Sequence, residues 1–199
     1  MQNLLIFVPF SIDPNCGFPI VEVSPLDKRA TRTKIQNMAL SIGTKAPDFA
    51  LSSKDADGVK IVKLSENFGK TNTVLLFFPM AFTSVCTTEM CDVSSGLEAY
   101  ENARVYGISG DSPFSLDAWA KKEGITIPLL SDYEHSAAKA YDVAYESFLP
   151  HVNLPMGGVA KRSAFIVDKG GFIQYAESSD DPKQLPDFEA IRRTLRKLA

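Results

Sequence analysis

The residues best suited to chemistry lie in one stretch, VLLFFPMAFTSVCTTEMC, from Val74 to Cys91. Its apolar run, Val74 to Phe78, suits a strand buried on both faces. Pro79 ends the run, because proline donates nothing to a sheet ladder. A short loop, Met80 to Phe82, leads to Thr83, a good helix N-cap, and Cys86 then falls in the first helical turn. Backbone N–H groups at a helix start lack intrahelical acceptors and favour an anion, here a thiolate. The thiolate, not the thiol, is the nucleophile. The Thr83 hydroxyl is placed to reach a ligand held against the sulfur, and Pro79 to wall the pocket from water. A shielded thiolate beside hydrogen-bond donors suits attack on a weak O–O bond, since the donors stabilise charge on the departing oxygen. A lone cysteine in a helix is more often inert filler. Pro79 and Thr83 at these spacings argue for chemistry.

Pro79, Thr83 and Cys86 stand as P-x3-T-x2-C, which resembles the active-site signature of the peroxiredoxins. The surrounding FFPMAFTSVCTTE is most similar to the alkyl hydroperoxide reductase E-type and Q-type (bacterioferritin-comigratory) branches. A Gly-x-x-Ala-Pro-x-Phe pattern, Gly43 to Phe49, resembles the same family. The likeness covers roughly residues 41 to 199. It implies an α/β, thioredoxin-like fold with a central mixed sheet flanked by helices. It also implies a thiol peroxidase, in which Cys86 attacks hydrogen peroxide or an organic hydroperoxide and becomes a sulfenic acid. No metal, haem or flavin cofactor is implied. The expected partners are the hydroperoxide and a thioredoxin-like or small-thiol reductant, with the chain a monomer or a homodimer.

Three further residues take roles from the resemblance. Arg162, in KRSAFIVDKGG, stands where peroxiredoxins carry an arginine beside the reactive sulfur. Its charge favours the thiolate and its fork binds peroxide oxygens. Lys161 is the competing cation, and a one-residue slip faces the other side of the sheet. Glu89 is three residues after Cys86; in these branches an acidic residue there orients the arginine, while a first-turn carboxylate also stabilises a helix by itself. Cys91 completes C-x4-C, as in the Q-type branch, where that cysteine resolves the sulfenic acid into a disulfide. Residues five apart on an α-helix have Cα atoms about 8.6 Å apart. A disulfide wants no more than about 6.8 Å. The first turns therefore have to unwind for the bond to form. Two alternatives stand beside it: a one-cysteine peroxidase resolved by an outside thiol, and a thioredoxin-fold redox sensor with little turnover.

The elements that must position these residues follow from local pattern. Asp48 to Leu51 and Val59 to Leu64 read as strands joined by a turn at Asp55–Gly58. The helix carrying Cys86 is expected to run to about Asn102, with Met90, Val93, Leu97 and Tyr100 on its buried face. Val105 to Ser109 is a buried strand. A helix from Asp111 to Gly124 follows, capped by Ser112 with Pro113 at its first position, and Phe114, Leu116 and Trp119 are expected to pack inward. Pro128 to Leu130 is a short strand and His135 to Tyr141 a short helix. Tyr145 to Gly158 is a long connection of the kind that often carries function. Arg162 to Val167 and Phe172 to Tyr175 form a hairpin, and Leu185 to Leu198 is an amphipathic helix with cations at its C-terminus.

The chain has 199 residues, a formal charge of −3 and 45% hydrophobic residues, which fits one soluble domain and argues against a nucleic-acid footprint. No apolar segment reaches transmembrane length. Three cysteines are too few for a disulfide framework and fit a reducing compartment, so the expected location is cytoplasmic. The two histidines, His135 and His151, make no metal-ligand spacing with a cysteine. Residues 1–38, broken by Pro9, Pro14, Pro19 and Pro25, read as an N-terminal extension to a domain of residues 39–199. The basic Lys28, Arg29, Arg32 and Lys34 leave organellar targeting by residues 1–37 as an alternative, against which Asp13, Glu22 and Asp27 weigh. Cys16 reads as an incidental thiol, and translation from Met38 is an alternative start.

Overall fold

The computed structural model describes residues 40–199. The readings of residues 1–38, Cys16 and Met38 among them, lie outside the described residues. The fold is a seven-stranded mixed sheet in the order β2-β1-β5-β4-β3-β6-β7. β1 (Ala50–Asp55) and β2 (Gly58–Lys63) form an antiparallel hairpin at one edge. β3 (Asn72–Phe77), β4 (Ala103–Ser109) and the short β5 (Leu129–Ser131) run parallel. β6 (Arg162–Val167) pairs antiparallel with β3, and β7 (Ile173–Ser179) closes the other edge. Helices α1 (Ser84–Ser95), α2 (Pro113–Glu123), α3 (Ser136–Ala140) and α4 (Phe188–Lys197) complete the α/β architecture.

The central strands β3 and β6 are buried on both faces, and the period of two divides their side chains between two apolar layers. Along β3, Val74 and Leu76 join Met90, Val93, Trp119, Ile191 and Leu195, from α1, α2 and α4. Leu75 and Phe77 face the other way, toward Leu51, Leu130, Ala137, Ala138 and Tyr141. β6 shows the same parity: Ala164 and Ile166 face the α1 layer, Phe165 and Val167 the α3 layer. Arg162, two residues before Ala164, is therefore aimed at α1. Lys161 is aimed away from it.

Several expectations need correction. The Cys86 helix ends at Ser95, not near Asn102, because Gly96 stops it and a separate 3-10 turn spans Leu97–Tyr100. Met90, Val93 and Tyr100 are buried as the periodicity requires, but Leu97 sits on that turn and is exposed. Phe114 points out to solvent, 63% exposed, while Leu116 and Trp119 pack inward. At the second residue of α2, Phe114 precedes the part of the helix that lies on the sheet. Ser112 caps α2 by accepting the Ser115 N–H at 3.2 Å, and Gly124 ends it with φ +72°.

Leu76 is fully buried between α1 and β6 in the central strand. Leu76→Ala is expected to lower unfolding stability by about 2–5 kcal/mol. Urea denaturation followed by circular dichroism checks this.

Candidate active site

The local chain path follows from three residues. Pro79 stops β3, and Phe82 turns the chain with φ +61°, a left-handed conformation that L residues rarely adopt. Thr83, extended at φ −101° and ψ 150°, then starts α1. Thr83 does not cap with its side chain. Its hydroxyl donates instead to the Met80 carbonyl at 2.9 Å, and its own carbonyl accepts the Thr87 N–H. With its proton committed, the Thr83 oxygen has lone pairs left to accept a hydrogen bond from a ligand. Pro79 is buried against the loop. Cys86 is the third residue of α1, within the turn whose amides lack intrahelical acceptors.

Arg162 reaches Cys86 from the end of β6. Its Nη2 donates to Cys86 Sγ at 3.1 Å, and its Nη1 pairs with Glu89 Oε2. Both the arginine and Glu89 are buried, at 2% and 0% exposure, so neither charge has water to fall back on. The guanidinium also donates from Nε and Nη2 to the Pro182 carbonyl, at 3.0 and 2.9 Å. Although burial works against its charge, Glu89 and Cys86 hold the Arg162 guanidinium protonated. Glu89 lies six residues into α1, beyond the first turn, so helix-start stabilisation does not explain its carboxylate.

Sequence pattern does not reveal the supports behind Arg162. Lys161, its neighbour, faces away from Cys86 and pairs with Asp180 Oδ1 at 2.6 Å. The Tyr145 hydroxyl donates to the Asp180 carbonyl at 2.9 Å. Together they hold the segment that presents the Pro182 carbonyl. A backbone acceptor has no residue-type signature; the long Tyr145–Gly158 connection was the available hint. His151 is exposed on a 3-10 turn, Pro150–Val152, of that connection and makes no contact with the cysteine.

Cys91 lies on the same unbroken helix as Cys86, and both are free thiols. Its S–H donates to the Glu123 carbonyl of α2 at 3.5 Å, and burial pushes the thiol above its ordinary range. The two cysteines are thus not brought together in this conformation. No group of three or more His, Cys, Asp or Glu that could hold a metal occurs among the described residues.

The model of the AhpC/TSA family matches residues 42–176. The chain belongs to this family. Its peroxiredoxin relatives include the chloroplastic 2-Cys peroxiredoxin BAS1 of Hordeum vulgare, 37% identical over 144 residues, covering 68% of this chain and 64% of that protein. Alkyl hydroperoxide reductase E of Mycobacterium tuberculosis is 36% identical over 142 residues, covering 69% of this chain and 85% of the relative. The chain thus spans just under two thirds of the barley protein and most of the mycobacterial one. Among solved structures, peroxidoxin BcpB from Mycobacterium tuberculosis superposes with a TM-score of 0.67 at 25% identity, over 81% of this chain and 99% of that one. The mitochondrial 2-Cys peroxiredoxin of Plasmodium falciparum gives 0.66 at 27% identity, over 79% and 93%. The sheet is therefore that of a thioredoxin-like peroxiredoxin, and the chain is a thiol-dependent peroxidase. A hydroperoxide is its substrate and a thiol its reductant.

Within this peroxiredoxin site, burial pushes the Glu89 carboxyl from the ordinary 4.5 up to about 7, with Arg162 pulling the other way. Its Oε1 is buried without a partner. A carboxyl raised by folding contributes stability that is full below its unfolded value and is lost as pH rises through its folded one. Wild type is therefore expected to lose stability relative to Glu89→Gln between about pH 4.5 and 7. Urea midpoints of the two proteins across that window check it, and a constant gap would contradict it.

Proposed function

We propose that this peroxidase works through Cys86 as the nucleophile on hydrogen peroxide and organic hydroperoxides. The observation that carries the reading is the Arg162 guanidinium donating to Cys86 Sγ at 3.1 Å in the first turn of α1. In the first step the thiolate attacks the outer oxygen of the hydroperoxide. The O–O bond breaks, the sulfur becomes a sulfenic acid, and the alkoxide leaves as the alcohol after taking a proton. Thr83 accepts the hydroperoxide O–H, while Arg162 and the Cys86 N–H donate to its oxygens. Pro79 keeps water from the sulfur. Glu89 holds the guanidinium in place.

In the second step the Cys91 thiol condenses with the sulfenic acid, forming the Cys86–Cys91 disulfide and releasing water. A thioredoxin-like dithiol then reduces the bond. Because both cysteines sit on one intact helix, the first turns of α1 must unwind first. The chain acts as a monomer or a homodimer. Residues 1–38 are an extension to the catalytic domain of residues 39–199, a boundary supported by the family match beginning at residue 42. The acidic Asp13, Glu22 and Asp27 in that extension support a cytoplasmic location.

A second reading, resolution by an outside thiol, is favoured by the contact of Cys91 with Glu123 on an unbroken helix. Intact mass after one equivalent of peroxide separates the two. Loss of two hydrogens in the wild type, with one oxygen gained in Cys91→Ser, supports the internal disulfide. One oxygen gained in both makes Cys91 a bystander. No change in either removes Cys86 as a peroxidatic thiol. Arg162→Met is expected to slow Cys86 oxidation on the order of 100-fold, as loss of a donor to developing charge does. Stopped-flow kinetics with limiting peroxide measures it.

A further inference from the structure

Between β3 and α1 the chain makes a six-residue connection, Phe78 to Thr83, that carries both the wall and the hydroxyl of the peroxide site. Its shape is not self-supporting. Phe82 is left-handed, and such a conformation persists only where the surroundings over-determine it. The β3–β4 ladder ends with the Phe78 N–H on the Ile108 carbonyl at 3.0 Å. Beyond it, the Ala81 N–H donates to Asp111 Oδ2 at 2.8 Å, thirty residues away in sequence.

Asp111 is itself pinned from three directions. Its Oδ2 also accepts the Ser109 hydroxyl at 2.8 Å, its N–H donates to Ser109 Oγ at 3.3 Å, and its carbonyl accepts the Ser131 hydroxyl at 2.7 Å. Ser109 and Ser131 are buried at the ends of β4 and β5. Gly110, in the same turn, lies so close to the His135 ring that a Cβ there would collide with it. The carboxylate is therefore a fixed point on the sheet, and the bond it makes to Ala81 is charge-assisted. On the far side of Phe82, its ring lies 6.3 Å from that of Trp119, with Lys122 Nζ 5.7 Å above it. The left-handed residue is thus held between a carboxylate clamp on one side and α2 on the other.

We propose that Asp111 is a positioning residue for the peroxide site. Its carboxylate holds the Ala81 amide, and so sets where Pro79 and Thr83 stand against Cys86. It touches neither the sulfur nor the peroxide. This rests on the reading of Cys86 as the peroxidatic thiol. Losing the clamp lets the loop shift, and misplacement of about 1 Å costs as much as about 100-fold in rate.

The test compares wild type, Asp111→Ala and Asp111→Asn. Two rates are measured at one pH: oxidation of Cys86 by hydrogen peroxide, which needs the loop, and alkylation of Cys86 by iodoacetamide, which does not use the Thr83 hydroxyl. The expected result is a fall of about 10- to 100-fold in the peroxide rate for Asp111→Ala, with alkylation within about threefold of wild type. Asp111→Asn keeps an oxygen acceptor for the Ala81 N–H and is expected to restore most of the peroxide rate. An unchanged peroxide rate in Asp111→Ala, or an equal fall in both rates, would overturn the proposal. If that variant does not fold, Asp111→Ser, whose hydroxyl is too short to reach the amide, is read in its place. A wild type that fails to react with peroxide would instead overturn the reading of Cys86, so the two failures are distinguishable.

Discussion

The structure depends on one buried guanidinium. Arg162 is removed from water at the end of a fully buried strand, and a cation there is tolerated only if it is paired and hydrogen-bonded. Glu89 takes an Nη1 N–H, the Pro182 carbonyl takes those of Nε and Nη2, and Cys86 Sγ takes the other Nη2 N–H. The acceptors come from two parts of the chain: α1 supplies the carboxylate and the sulfur, and the segment after β7 supplies the carbonyl. The arginine therefore ties the helix carrying Cys86 to the far edge of the sheet. The sulfur completes the arginine's hydrogen bonding as much as the arginine fixes the sulfur.

This arrangement sets a tension inside α1. The helix must be intact for Cys86 to meet Arg162, and broken for Cys86 to meet Cys91. Beside its apolar packing, three hydrogen bonds hold it to α2 and the segment that follows. The Trp119 indole N–H donates to Thr87 Oγ1 at 3.3 Å, Cys91 leans on the Glu123 carbonyl at 3.5 Å, and Ser94 Oγ accepts the Thr126 N–H at 3.1 Å. Each is a single hydrogen bond of the sort that contributes about 0.5–1.5 kcal/mol.

The loop before α1 solves a different problem. A left-handed Phe82 and a buried Pro79 bring the chain sharply from the sheet into the helix, and no regular ladder supports the turn. Support arrives from the β4–α2 turn through Asp111, and from α2 through Trp119. The sheet thus reaches the site twice, through Arg162 on β6 and through the turn after β4.

Much of this was legible in the residues alone. The apolar run at Val74, the proline that stops it, the threonine that opens the helix and the cysteine in its first turn are local features, and local sterics and capping determine them. The parity of β6 was legible too, because a period of two fixes that Arg162 and Lys161 face opposite sides. The misses share a physical cause. Leu97 and Phe114 carry helical periodicity, but whether a periodic position is buried depends on where Gly96 breaks the helix and which turn of α2 lies on the sheet. Thr83 has the composition of a side-chain cap, but its proton goes to Met80, a choice made by the loop's shape. The Pro182 carbonyl and the Asp111–Ala81 bond join residues far apart, and one partner in each is backbone, which every residue possesses. The sequence by itself determined the strand, loop and helix that carry Pro79, Thr83 and Cys86, and the strand that opens with Arg162. Only the tertiary structure decided what holds those groups in place, because a buried charge and a strained loop are satisfied by whichever distant donors and acceptors the sheet register brings within reach.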